Sequence, residues 1–503
     1  MGANSHIGSK ARAAGSPFAS PALAALLIIA VAVATRVVAW WNPVADIDPP
    51  FYNLVGQELL SGHWPYVDIW DRKPLGLFLI YAAIGWLTGG SLVTLNVAAT
   101  AFAAATAWVV RQISLGFATP RAATFAALVY LLFLPPLFGQ TAQSPVFYNL
   151  FMAGAALLLI RASGEAEASN IRLHAFGAML LCGLSIWVKQ VAFVEGAFFG
   201  LAFLWLLWRR EERPGALAIT AIAMIAVALA PNLVGLAGYG LAGQAALDAY
   251  VHANFVSIFQ RTSWGWQSRI AGMAFFLLTL FPLLALAAVS LRQRLKGGGD
   301  LKSRLLAGWL ASALLGFLVV PEFFPHYALP LLLPLCVAAS CFFDRPSGPL
   351  FLGTIAAFVL VQGHILDVRS NRTGAREYAE LHDIVQKARR GGCIYIAEGP
   401  THLYTTTGAC RLTRYIFPDH LNLKTEAGAV GTDTAVETAR VLGQRPAVIV
   451  LQNRDPRRYQ PEVYRTLTGT LRRDYALVYR TPADAPRLIR DVRVWQRRDL
   501  APS

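Results

Sequence analysis

The chain has 503 residues, 55% of them hydrophobic and only 15% charged, with a mean hydropathy of +0.47 and a formal net charge of +15. Soluble globular proteins carry about 25% charged residues. The values exclude an ordinary soluble enzyme, a disordered chain and a disulfide-rich miniprotein, and they assign most of the chain to lipid. The charge is unevenly placed. Residues 1–366 hold 21 Lys/Arg and 14 Asp/Glu, and residues 367–503 hold 23 and 15. An apolar multi-span domain over 1–366 and a small soluble domain over 367–503 are therefore expected. The basic excess meets no nucleic-acid-binding motif, and basic residues beside apolar spans orient membrane proteins or attract anionic headgroups. No nucleic-acid partner is expected.

A spanning helix needs about 20 mainly apolar residues. Pro21–Trp41 is the first, and Lys10 and Arg12 before it place the N-terminus in the cytoplasm. Ten more follow at 92–110, 122–138, 145–160, 175–189, 191–208, 216–237, 269–290, 304–321, 327–342 and 348–366. Leu75–Leu87 is short for a span and suits a re-entrant or interfacial helix. If it does not cross, the turns with Arg111 and Arg121, with Arg161 and Arg172, with Arg209, Arg210 and Arg213, with Arg292 to Arg304 and with Arg345 all lie inside. If it crosses, they move outside. Eleven spans and an outer-face 367–503 domain are thus expected. The outer face then carries Asn42–Pro74, Gly139–Ser144, 238–269, the turn before Tyr327, and Lys189.

The first outer loop is dense in charge where charge is scarce. Asp46, Asp48, Asp68, Asp71, Arg72 and Lys73 fall within it. Phe51, Tyr52, Val55, Leu59 and Leu60 form an apolar helical stripe starting after Asp48, suited to lying flat on a membrane surface. Asp48 precedes two prolines, so it reads as a helix N-cap with Pro at N1. An aspartate at a helix N-terminus is also favoured in its charged form by the helix dipole, as a general base requires. Arg72 and Lys73 read either as headgroup anchors or as a phosphate clamp.

In order and spacing, Asp48, Tyr52, Gly62, Pro65-Tyr66, Asp68, Asp71 and Lys73-Pro74 resemble the first outer loop of the GT-C class of polytopic glycosyltransferases. These are lipid-phosphate-sugar-dependent enzymes related to aminoarabinose, mannosyl and galacturonosyl transferases. Weaker likenesses are Lys189 at the end of a span, His326-Tyr327 before a Pro-containing span, and the segment from Cys393 to Phe417. The sequence departs from the pattern at Pro49, where an acidic residue is usual, at Leu75 in place of a second proline, and at Gln140 and Gln143 in the second outer loop. The resemblance implies an all-α polytopic membrane fold followed by a small α/β domain. It implies inverting transfer of a sugar from a polyprenyl-monophosphate donor to a lipid, glycan or protein acceptor. Asp48, with Asp46 in reserve, would deprotonate the acceptor hydroxyl. Lys73, then Lys189, Arg72 and Arg261, would hold the phosphate. Tyr52, Tyr66, Asp68, Asp71, His326 and Tyr327 would line the substrate pocket. No cofactor is required by this chemistry. A divalent metal stays open, although no His/Cys/Asp cluster has ligand spacing.

Tyr250, His252, Phe255, Phe259, Trp264 and Trp266 read as an interfacial aromatic belt or as a gate beside a headgroup. In the tail, a helix is expected over 375–388 and another over 434–442, with strands at 393–397, 447–451, 476–479 and 492–495. Cys393 and Cys410 are the cysteines outside the spans; on an oxidising outer face they could pair, and the sequence leaves that pairing open. The main rival reading is a lipid or saccharide transporter or flippase. Against it, the charges sit at span ends and no internal repeat is evident.

Overall fold

The computed structural model describes residues 20–320, 322–363, 367–452, 455–482, 484–486 and 488–500. Lys10 and Arg12, on which the orientation of the first span was argued, lie outside the described residues. Among the described residues, eight helices are long and apolar enough to cross a membrane: Pro21–Ala39, Leu92–Ser114, Ser144–Ala162, Ala168–Val188, Gln190–Trp208, Pro214–Ala242, Trp266–Gly298 and Leu301–Val319. Each coincides with an expected span. The remaining three expected spans fall on the shorter apolar helices Pro120–Phe133, Leu332–Asp344 and Gly348–Gln362, and the re-entrant candidate on Leu75–Thr88. Proline supplies the first turn of several helices, where its missing N–H costs nothing.

The chain forms two compact units. The first comprises residues up to 37, 97–234 and 265–366. Its packing follows small residues. Ala99, Ala103, Ala107 and Val110 recur at helical spacing and are fully buried. A Cβ on Gly183 would lie 2.4 Å from the Ala228 carbonyl oxygen, so glycine there lets two helices touch backbone to backbone. Pro120–Phe133 is buried along almost its whole length. Arg36 is sealed at the end of the first span. It donates to the Gly139 carbonyl, to the Thr141 carbonyl at 2.8 Å and to Thr100 Oγ1 at 3.2 Å, and so fixes the 139–144 loop.

The second unit comprises 38–96, 235–264 and 367–503. Its sheet has the order β1-β2-β4-β3, with β1 Ile394–Glu398, β2 Val448–Gln452, β3 Tyr475–Arg480 and β4 Val492–Arg497. β1 and β2 are parallel; β4 pairs antiparallel with both β2 and β3. The parallel pair requires a crossover, and helix Thr434–Gly443 supplies part of it. That helix and Pro461–Asp474 bury Val441, Leu442, Leu467 and Leu471 against Tyr395 and Ile449 of the sheet. All four expected strands are present; three agree within one residue at each end, and the last runs two residues further than expected, to Arg497. The expected 375–388 helix starts earlier, at Val368, because Asp367 caps it by accepting from the Ser370 amide. Cys393 and Cys410 form a disulfide.

Candidate functional site

In the second unit, helices Asp48–Leu60 and Leu75–Thr88 lie side by side. Tyr52 meets Phe78, Gly56 meets Tyr81 and Ala82, and Leu60 meets Gly85. The contacts climb together, so the helices are parallel and both N-termini stand at one end. A Cβ on Gly56 would come within 2.9 Å of the Ala82 nitrogen, so the approach requires glycine. At the opposite end, Asn53 and Gln57 donate to the Gly90 carbonyl at 2.9 and 2.7 Å. Phe51, Tyr52, Leu54 and Val55 are all buried, so the helix is packed in protein rather than spread on a surface.

This arrangement gathers Asp46, Asp48, Asp71 and Lys73 at the shared end. The capping role expected of Asp48 falls to Asp46, two residues earlier. Ile47 is the N-cap and Asp48 the first helical residue, while Asp46 Oδ1 accepts from the Ile47 amide at 2.8 Å and the Asp48 amide at 3.4 Å. Asp71 is buried and accepts from the Arg72 and Lys73 amides at 2.5 and 3.3 Å. Burial raises its pKa, offset by the charges of Lys73 and Arg72, and the Asp48 carboxylate adds to the rise. Lys73 is half-buried, with Nζ 5.7 Å from the Tyr52 ring centre.

Tyr66 and Asp68 shape the loop between the helices. The exposed Asp68 closes a turn: its carboxylate accepts from the Trp64 amide at 2.6 Å, and its own amide donates to the Trp64 carbonyl. Tyr66 has a φ of +70°, uncommon for a side chain this large. Its ring is buried among Phe78, Tyr239 and Tyr250, and its hydroxyl donates to the Lys73 carbonyl at 2.8 Å. Tyr239 donates in turn to the Pro65 carbonyl. The aromatics expected as a belt therefore divide: Tyr250 is buried against this loop, while Phe259 and Trp266 are exposed.

Arg72 and Arg261 converge on one carboxylate. Both Arg72 Nη atoms bond the two oxygens of Glu426, and Arg261 Nε lies 2.8 Å from Glu426 Oε1. Glu426 is 2% exposed, Arg72 14% and Arg261 20%. Two cations on one anion leave a surplus positive charge on the more open side. The Arg72 guanidinium also sits 5.3 Å from the Trp70 ring centre, and His420 packs edge-on against the same ring at 4.5 Å. Burial and the charges of Arg72, Lys73 and Arg261 drive the His420 pKa well below its ordinary value, so the imidazole is neutral. Asp46 further lines a shallow cleft with Pro50, Gly399, Thr401 and Gln452 at the C-terminal ends of the parallel strands. Ligands of open α/β sheets bind at such ends.

The first unit carries its own polar cluster. Lys189 ends helix Ala168–Val188 in extended conformation, and its Nζ lies 4.0 Å from the Tyr327 ring centre. Tyr148, Lys189, Glu195 and Tyr327 line a small cleft. The Trp309 indole donates to Glu195 at 2.8 Å. His326 packs between Phe324 and Tyr327. Sequence reasoning missed Glu195, whose signal was a lone acid in an apolar span. It also missed Glu426 and His420, for which no local motif exists. Among the described residues no group of three His, Cys, Asp or Glu side chains is placed to hold a metal ion.

No protein-family model and no curated protein sequence matches the chain. Solved structures do. The chain is similar to ArnT from Cupriavidus metallidurans bound to undecaprenyl phosphate, with a TM-score of 0.65 and 14% identity over 95% of this chain and 99% of that one. It is also similar to the Archaeoglobus fulgidus oligosaccharyltransferase. The apo form gives a TM-score of 0.51 and 11% identity over 85% of this chain and 69% of that one. The form tethered to an acceptor peptide gives 0.50 and 12% over 85% and 68%. The fold is the GT-C-like membrane fold that the first loop led us to expect.

Proposed function

We propose that this protein is an inverting glycosyltransferase. It moves a sugar from a polyprenyl-monophosphate donor to a lipid, glycan or protein acceptor on the outer face of the membrane. The observation that carries the reading is the fold shared over nearly the full length of both chains with an enzyme structure bound to undecaprenyl phosphate.

Asp48 is the proposed general base, with Asp46 in reserve. Asp48 takes the proton of the acceptor hydroxyl, the acceptor oxygen attacks the anomeric carbon, and the bond to the phosphate oxygen breaks with inversion. The position of Asp48 in the first turn of a helix suits a group that must act as an anion. Lys73 is the proposed ligand of the leaving phosphate, assisted by the surplus charge of Arg72 and Arg261. Lys189 is a further proposed phosphate ligand. Tyr66 and Asp68 act by shaping the loop that presents Lys73, and Asp71 fixes its backbone by accepting from the Arg72 and Lys73 amides. Tyr52, His326 and Tyr327 are proposed substrate contacts. Positioning and electrostatics carry most of the rate, because the phosphate ester already activates the sugar.

The proposed division is a membrane domain over 1–366 and an outer-face domain over 367–503, in the plasma or inner membrane of the cell. The Cys393–Cys410 disulfide supports an oxidising compartment for the tail. The test is Asp48→Asn in membranes supplied with a lipid-linked sugar pool, with lipids and glycans of the envelope read by mass spectrometry. Loss of a base lowers transfer by about 10²–10⁴-fold. Full transfer by both Asp48→Asn and Asp46→Asn would overturn the assignment.

A further inference from the structure

Three segments of the second unit meet at one ion cluster: Arg72 from the first loop, Arg261 after the Ser257–Gln260 helix, and Glu426 from the tail. The carboxylate is the sealed member. Its backbone is held on both sides. The Glu426 amide donates to the Leu423 carbonyl, and its own carbonyl accepts from the Ala429 amide. The Thr262 amide donates to the Thr425 carbonyl at 3.1 Å, and Gln460 Nε2 donates to the Leu423 carbonyl. Glu426 is therefore a fixed point, with Arg72 hydrogen-bonded to both its oxygens and Arg261 drawn to it as an ion pair. Arg72 meets it as a fork, over the Trp70 face and within 3.4 Å of Ser257 Oγ.

Without this carboxylate two guanidiniums would face each other across a partly dry site. Like charges repel there more strongly than in water. Planar bidentate pairing also fixes direction, which a single point charge does not.

We propose that Glu426 is a positioning residue of the phosphate site. Resting on the reading of Arg72 and Arg261 as phosphate ligands, it holds the two guanidiniums at the spacing and angle that the phosphate of the donor, and of the polyprenyl phosphate it leaves, requires. The tail thereby completes the donor site through a residue that does not touch the donor. Simple electrostatics expects the opposite consequence of removing it. Glu426→Gln adds net positive charge, so an anion would bind more tightly if charge alone mattered. If position governs, the anion binds more weakly.

The experiment measures binding of undecaprenyl phosphate to the purified full-length protein in detergent micelles, by intrinsic tryptophan fluorescence. Melting temperatures are taken in parallel. The expected result is about 10-fold weaker binding for Glu426→Gln, of the order that misplacing a ligand causes. Glu426→Asp should recover part of the loss, and Arg72→Ala and Arg261→Ala should each weaken binding. Unchanged or tighter binding by Glu426→Gln, with both arginine variants impaired, overturns the positioning role and leaves the phosphate site standing. Unchanged binding by both arginine variants overturns the phosphate reading and the positioning role with it. Should Glu426→Gln not fold, Glu426→Asp decides alone: it must bind more weakly than wild type, and equal binding overturns the proposal.

Discussion

Acid should destabilise the second unit through two histidines, and His420 is the sharper of them. Its imidazole is buried among Phe51, Trp70 and Phe417, with Arg72, Lys73 and Arg261 nearby, and its pKa lies well below 6.5. A histidine whose folded-state pKa is depressed stabilises the fold fully above the unfolded value. That stabilisation is lost as pH falls below 6.5 and continues to fall until the folded-state pKa is reached. Each pH unit in that window removes about 1.4 kcal/mol. At pH 5 the loss from His420 is at most about 2 kcal/mol, worth up to about 4–8 °C in melting temperature for a body of this size. His402, pushed down to about 4 by burial and the neighbouring His382, adds a similar amount. Differential scanning fluorimetry of the detergent-purified protein from pH 7.5 to pH 5 reads the sum. His420→Gln lowers the melting temperature at pH 7.5 because it loses the ring packing. The slope is the test: His420→Gln and His402→Gln should each flatten the loss of melting temperature on acidification. An unchanged slope in His420→Gln would refute the buried, neutral imidazole and the cationic surroundings that explain it.

Three further outcomes are expected. Gly56→Val places methyl groups against the backbone of Tyr81 and Ala82, so the parallel helices part. Overpacking of this kind costs about 1–3 kcal/mol, and transfer should fall with Asp48 intact. Gly469→Ala, in a helix with open space around it, is the control and should be neutral to stabilising. Single cysteines at Leu115 and Leu295 should resist an impermeant maleimide applied from outside intact cells; labelling of either would reverse the topology.

The apolar spans were readable in the sequence because lipid leaves the backbone no partner but itself, so length and hydropathy are enough. The tail strands were readable too, since Ile394–Glu398 and Val448–Gln452 are short β-branched runs bounded by Gly and Pro. The cluster of Asp46, Asp48, Asp71 and Lys73 was visible because charge is rare in 1–366. Its internal order was not. Which aspartate accepts the amides at the start of the helix depends on where that helix starts, and the Pro49-Pro50 pair allows either register.

The partners of Arg72 and Arg261 lay beyond sequence reasoning altogether. Glu426 stands more than 350 residues after Arg72 in the chain and belongs to no motif. Only close packing of the three segments brings it there, and an ion pair leaves no periodic trace. What the sequence by itself determined was the solvent of each segment, from the pattern of hydropathy and charge. What only the tertiary structure decided was which charges face one another, because that depends on distances between segments that local pattern does not encode.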